Sequence, residues 1–177
     1  MITKPVPHFQ LVLVADVERL ALVARRAYAD HYLHLWHDGG EWYMNRSFSV
    51  DVLLKELQDS NARFYFVSLK DEPVGFLKLN INEPSPCNTS MNALELERIY
   101  LEKKVTGMGV GKAAMQFAID QARQTDKQFI WLKAMDTSHD VLAFYGRMGF
   151  ETCGTDRLSF DVMKEDFRGM TILQRRV

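Results

Sequence analysis

The sequence has little that would mark a covalently stapled scaffold or a chain bound for a membrane. Its two cysteines, Cys87 and Cys153, make neither a disulfide framework nor a CxxC site. The longest apolar runs, such as Leu11–Ala15, are far too short to cross a bilayer. Met1–Pro7 has a lysine but no signal-type apolar core after it. Charge of one sign is also missing. Lys and Arg number 22 against 23 Asp and Glu, and a net charge of −1 gives no electrostatic ground for binding DNA, RNA or an anionic membrane. There is no repeat, low-complexity tract or linker. These absences point to a cytoplasmic enzyme or binding domain with a small-molecule partner, working as a monomer or homodimer.

What is present suffices for one domain over residues 1–177, large enough to bury a core unaided. Phe9 to Val14 reads as a short strand. Asp16 can cap a helix on which Val17, Leu20, Ala21, Ala24 and Tyr28 recur at helical spacing. A polar and aromatic stretch from His34 to Arg46 follows, with Gly39-Gly40 breaking any helix. Ser49 can cap a second helix with an apolar face of Val50, Leu53, Leu54 and Leu57. Ala62 to Leu69 and Val74 to Ile81 form a hairpin around Lys70–Pro73, Asn82 to Met91 is a loop, and Ala93 to Leu101 is another strand. Val110, Ala113, Ala114, Phe117 and Ala118 lie on one face of a helix. Phe129 to Ala134 is a buried strand, Val141 to Met148 a short helix ended by Gly149, and Phe150 to Phe160 and Met170 to Arg175 supply closing strands. The order predicts an α/β fold, a mixed sheet with helices on both faces.

The most informative segment is Thr106-Gly-Met-Gly-Val-Gly-Lys112, after a strand and at the mouth of a helix. Glycines at alternate positions let a ligand approach the backbone closely, and the helix start turns free amides and a positive dipole end towards an anion. A pyrophosphate is the obvious candidate. A tight strand-to-helix turn without a ligand is the plain alternative. A Walker loop fails, needing glycine at Thr106 and a hydroxyl at Ala113. Gly109, Gly111 and Ala114 meet GxGxxA, but after a hairpin rather than in an opening βαβ unit. His31, His34 and His37 invite a metal reading, yet six residues rotate His37 well away from His31 on a helix, and no metal is expected.

Leu96-Glu-Arg-Ile-Tyr-Leu101, the glycine loop, and Ala143-Phe-Tyr-Gly-Arg-Met-Gly-Phe150 together resemble the GNAT superfamily of N-acetyltransferases in order and spacing. The loop corresponds to its (Q/R)xxGxG signature, and the element order extends the likeness over nearly the whole chain. Within the superfamily, Tyr43–Ser49 and Phe64–Phe66 to Asn80 look like the PaiA-type branch, which acetylates polyamines. Thr106 departs from the usual Gln or Arg, and Ser138 stands where an Asn often precedes the last helix.

The resemblance implies a GNAT fold with a mixed, mostly antiparallel central sheet, and acetyl-CoA as cosubstrate. It implies that Ile99, Tyr100 and Leu101 hold the pantetheine arm and thioester. Thr106, Gly107, Met108, Gly109, Val110, Gly111 and Lys112 would cradle the pyrophosphate, with Ser138 and Arg147 completing the set. Lys103 and Lys104 could add charge near the phosphates. Tyr145 would protonate the departing thiolate. Glu97, nearer the reacting end than Glu95, is the favoured base, with Glu95 or water as alternatives. Trp36, Asp38, Trp42 and Tyr43, with Glu41, would suit a polyamine such as spermidine or spermine through cation–π and charge contacts. The implied reaction is direct transfer to an amine in a ternary complex; a non-catalytic acyl-CoA sensor, or acetylation of a protein or aminoglycoside amine, is the alternative.

Overall fold

The computed structural model describes residues 6–177. Residues 1–5, most of the segment read for a signal core, lie outside the described residues.

The chain runs β1 (His8–Leu11), α1 (Val17–Tyr32), α2 (Glu41–Phe48), α3 (Val50–Leu57), β2 (Ala62–Leu69), β3 (Glu72–Asn80), β4 (Ala93–Leu101), α4 (Val110–Gln124), β5 (Phe129–Met135), α5 (His139–Arg147), β6 (Glu151–Arg157) and β7 (Gly169–Arg176). Among the described residues the strands form one seven-stranded sheet in the order β1-β2-β3-β4-β5-β7-β6. All neighbours are antiparallel except β4 and β5. That pair is reached by the α4 crossover, as a parallel connection requires.

Each face of the sheet has its own core. Leu77, Leu79, Leu94 and Leu96 pack with Ala114, Met115, Ala118 and Ile119 of α4. On the other face Phe64, Phe66 and Phe76 meet Leu20 and Ala24 of α1, Phe48 of α2 and Leu53 of α3. Strand alternation sorts side chains between the two cores, and the helical stripes anticipated for α1 and α4 supply the matching faces.

The structure corrects several expectations. A third helix, α2, occupies Glu41–Phe48, because Gly39-Gly40 does not exclude a helix but starts one: Gly40 takes φ 88° at its N-cap. Asp16 gives α1 no side-chain cap; its carboxylate accepts the Leu13 amide instead at 3.0 Å. Ser49 makes no cap hydrogen bond to α3 either. The closing strand β6 stops at Arg157, and the chain from Leu158 wraps back over the segment after α1, where Val162 accepts the His37 amide and Lys164 donates to Leu35. Cys87 and Cys153 form a disulfide with Cα atoms 6.0 Å apart. Their 66-residue separation hid a pairing made when the β3–β4 connection crosses β5 and β7, where Trp131 donates to the Glu83 carbonyl and Ser85 to Gln174, to reach β6 at the sheet edge.

Candidate active site

The site begins where β4 and β5 part. Their ladder pairs Ala93 to Glu95 with Phe129 to Trp131 and goes no further. Beyond it, Glu102 donates its amide to Val74 on the β3 side at 2.8 Å. Alternation along extended backbone therefore turns the N–H and C=O groups of Ile99 and the N–H of Leu101 towards β5, into the gap, while the Leu101 carbonyl is taken by His31. The Tyr100 backbone faces β3, and its side chain joins the aromatic cluster under α1. A cleft of about 380 Å³ fills the opening and continues through the sheet. It runs from Ser138, Val141 and Tyr145 of the α5 side to Tyr28, Tyr32 and Tyr43 of the α1 side.

At the cleft's α4 side, Gly107 (φ 77°) and Gly109 (φ 85°) take left-handed conformations, and a Cβ at either would meet nothing within 4 Å. Backbone shape, not crowding, demands glycine at both. The amides of Gly109, Val110, Gly111 and Lys112 have no backbone acceptor among the described residues, being the first of α4. The Met108 amide, expected to join them, closes a turn on Val105 at 3.2 Å, and that of Thr106 is taken by Lys103. Lys112 and Arg147 line a shallow basic groove with Arg175 and Arg176. Lys104 stands apart, its ammonium held by Glu72 at 2.6 Å and Glu102 at 3.0 Å.

On the α1 side the cleft is walled by rings. Trp36 stacks on Tyr43 with centroids 4.9 Å apart and donates its indole N–H to the Tyr28 hydroxyl at 2.7 Å. Of the residues assigned to substrate, Trp36 and Tyr43 line the cleft, while Trp42 packs behind it against Trp36 and Phe160. Asp38 is elsewhere: its carboxylate accepts the amides of Gly40 at 3.0 Å and Trp42 at 2.7 Å, fastening the start of α2. Glu41 is exposed outside the cleft. The sequence reading missed Arg46, Phe160 and Met163, which also line it. A helix over 41–48 would have set Arg46 one turn from Trp42, as an i,i+4 pair. Phe160 and Met163 arrive on irregular chain that no periodicity announces.

A bulge in β4 governs the carboxylates. Lys78 opposes Arg98 while Leu79 opposes Leu96, so Glu97 is an extra residue and projects to the same face as Arg98. There Glu97 meets Lys78 at 2.6 Å and Arg98 at 3.1 Å, and Arg98 also makes a two-pronged bond to Glu56. Burial pushes the Glu97 carboxyl up, but Arg98 and Lys78 outweigh it and hold the group below its ordinary range. Among the described residues Glu95 has only Asn80 as a hydrogen-bond partner, at 2.7 Å, and burial raises its pKa, reinforced by the neighbouring Glu97. The Tyr145 ring is buried and its pKa is raised by that burial; its hydroxyl has no partner among the described residues. His31 is bonded to the Leu101 carbonyl at 3.0 Å, and His34 packs edge-on to Phe167. Among the described residues no three His, Cys, Asp or Glu side chains gather as a metal site.

Comparison with known proteins sets this geometry in context. The profile described as the Acetyltransferase (GNAT) family matches residues 23–150. An uncharacterized N-acetyltransferase from the pepI 3′ region of Lactobacillus delbrueckii subsp. lactis is 30% identical over 107 residues, 60% of this chain and 62% of that protein. A streptothricin acetyltransferase of Streptomyces lavendulae is 33% identical over 63 residues, 36% of this chain and 33% of that protein. The chain thus spans less than two thirds of these curated relatives. In fold it is similar to the crystal structure of a PaiA N-acetyltransferase from Thermoplasma acidophilum in complex with coenzyme A, with a TM-score of 0.75, 19% identity, and coverage of 97% of this chain and 99% of that one.

Proposed function

The chain belongs to the acetyltransferase (GNAT) family, and from that premise we propose that it is an acetyl-CoA-dependent N-acetyltransferase of a small primary amine, acting as one domain over residues 1–177. The observation that carries the proposal is the parted β4–β5 pair, whose Ile99 backbone, with no strand partner on that side, lines a cleft with a ring-lined acceptor side. A cytoplasmic location now rests on the charge and hydropathy of the sequence, since the Cys87–Cys153 bond removes the cysteine ground, and no described helix is long and apolar enough to cross a membrane.

Acetyl-CoA supplies the acyl group as a thioester. The pantetheine arm fits the unpaired edge of β4, and the free amides of Gly109 to Lys112 suit the pyrophosphate, with Lys112 and Arg147 beside them for further phosphate charge. An acceptor ammonium, with a pKa near ~10 if it resembles lysine, must lose a proton before it attacks. Of the two carboxylates Glu95 is the better base: its raised pKa lies nearer neutrality, whereas Glu97 is already neutralised by Lys78 and Arg98. Glu97 positions this edge of the cleft instead. A backbone amide of Ile99 or Leu101 can donate to the developing oxyanion. Tyr145, kept protonated by burial and with its hydroxyl uncommitted, supplies a proton to the departing sulfur.

A polyamine such as spermidine or spermine is the acceptor that the PaiA-type likeness implies, and the rings of Tyr28, Tyr32, Trp36 and Tyr43 favour a cation. Asp38 and Glu41, the carboxylates expected to hold its further ammonium groups, stand outside the cleft. Thiol release from acetyl-CoA should therefore be measured with a panel wider than polyamines. Amine-dependent release that collapses in Tyr145→Phe is the expected result. Tight coenzyme A binding with no release for any amine would make the domain a sensor instead.

A further inference from the structure

The charged side chains lining the cleft are Arg46, Glu95, Glu97, Arg98 and Lys133. Most are answered within the protein. Glu97 and Arg98 belong to the network with Lys78 and Glu56, and Lys133 is bonded to Asp156 at 2.5 Å. Arg46 differs. It has no carboxylate and no hydrogen-bond partner among the described residues, and its guanidinium lies over the rings of Trp42 and Phe160, 5.3 Å and 5.4 Å from their centroids. Contact with two rings inclined at 57° to each other confines the guanidinium and leaves its N–H groups without a partner among the described residues. That arrangement suits a planar anion, since a guanidinium and a carboxylate match fork to fork. A polycation would meet one available carboxylate, Glu95, and a like charge at Arg46.

We infer that the acceptor is an amine that also carries a carboxylate, an amino acid or a compound built like one, with Arg46 as the residue that selects it. The aromatic walls hold the carbon skeleton between the two ends: amine towards β4, carboxylate towards the last turn of α2. The inference rests on the reading of the chain as an amine acetyltransferase and replaces the polyamine as its acceptor.

The test compares matched amines that differ only in the carboxylate, phenylalanine with phenethylamine and lysine with cadaverine, alongside spermidine, by thiol release. The carboxylated member of at least one pair should be preferred in kcat/KM by roughly ten- to a hundred-fold, the range of one charge-assisted hydrogen bond. In Arg46→Glu that ratio should fall to one or reverse, and Arg46→Lys should keep part of it. Retained coenzyme A binding, read as a thermal shift, checks that each variant folds; Arg46→Gln replaces Arg46→Glu if it does not. Turnover without regard to the carboxylate, preference for spermidine, or a ratio that Arg46→Glu leaves unmoved overturns this inference alone. Silence towards every amine removes the acetyltransferase reading and this inference with it.

Discussion

Two glutamates a residue apart on β4 have opposite electrostatic fates, and this separates their roles experimentally. Glu95 is held above its ordinary pKa, so the folded state prefers it protonated: its contribution to stability is present below the unfolded value of about 4.3 and is lost as pH rises through the folded value. Glu97 is held below, so its contribution is present above the unfolded value and is lost as pH falls through the folded one. At neutral pH Glu95→Gln should thus be neutral or stabilising in urea denaturation, yet lower kcat by roughly 10²- to 10⁴-fold, the range for a general base. It should also erase the acid limb of the pH–rate profile. Glu97→Gln should cost about 1–3 kcal/mol, because it leaves Lys78 and Arg98 sharing Glu56, and it should flatten the acid limb of stability. An Glu95→Gln enzyme with full activity would return the base to water or to Glu97. Both residues could be named from the alternating pattern of the strand. Their ranking could not, since it depends on a bulge and on Lys78 and Glu56, which come from other elements. Thr106 is simpler. Its replacement by Arg, beside amides already suited to an anion, should tighten coenzyme A binding up to about five-fold at an exposed position, measured by calorimetry.

At the scale of elements, the sequence was clearest where one physical pattern dominates. Helical stripes announced α1 and α4, and β-branched and aromatic runs announced β2, β3 and β5. The helix α2 was obscured because Gly39-Gly40 reads as a breaker, although a left-handed glycine is equally able to start a helix. With α2 went Arg46, and with the irregular chain after β6 went Phe160. The connection between β3 and β4 was legible as a loop but not as a cover. It shields Trp131, whose indole donates to the Glu83 carbonyl at 2.8 Å, and it is anchored by the Cys87–Cys153 bond to β6. A cross-link over 66 residues restricts the unfolded chain by about 4 kcal/mol on the chain-entropy account. Reduction, or Cys153→Ser, should therefore lower stability by up to that amount and quench or shift Trp131 fluorescence. In a reducing cytoplasm the two residues would be thiols. Thiol titration of denatured protein, before and after reductant, reads the difference as zero against two.

Across the whole molecule, the sheet separates two halves of the chemistry. The glycine loop and the start of α4 pack with Tyr145 on one face of the sheet, near the basic groove of Lys112 and Arg147, and the rings of α1 and α2 wall the cleft on the other. The β4–β5 gap is the passage between them. On the proposed function, cosubstrate and acceptor would approach from opposite sides of the sheet, and neither would have to leave before the other binds. The two cysteines, bonded or reduced, lie outside the cleft's lining, so no thiolate is placed to carry an acetyl group between half-reactions. On the proposed acetyltransferase function, this layout favours direct transfer in a ternary complex. Initial rates measured at varied concentrations of both substrates should give intersecting double-reciprocal lines. Acetyl-CoA alone should leave no acetylated protein detectable by intact mass. Parallel lines, or a mass gain of one acetyl group that disappears when amine is added, would require a covalent carrier within the cleft, and the opposed approach would then need a different rationale.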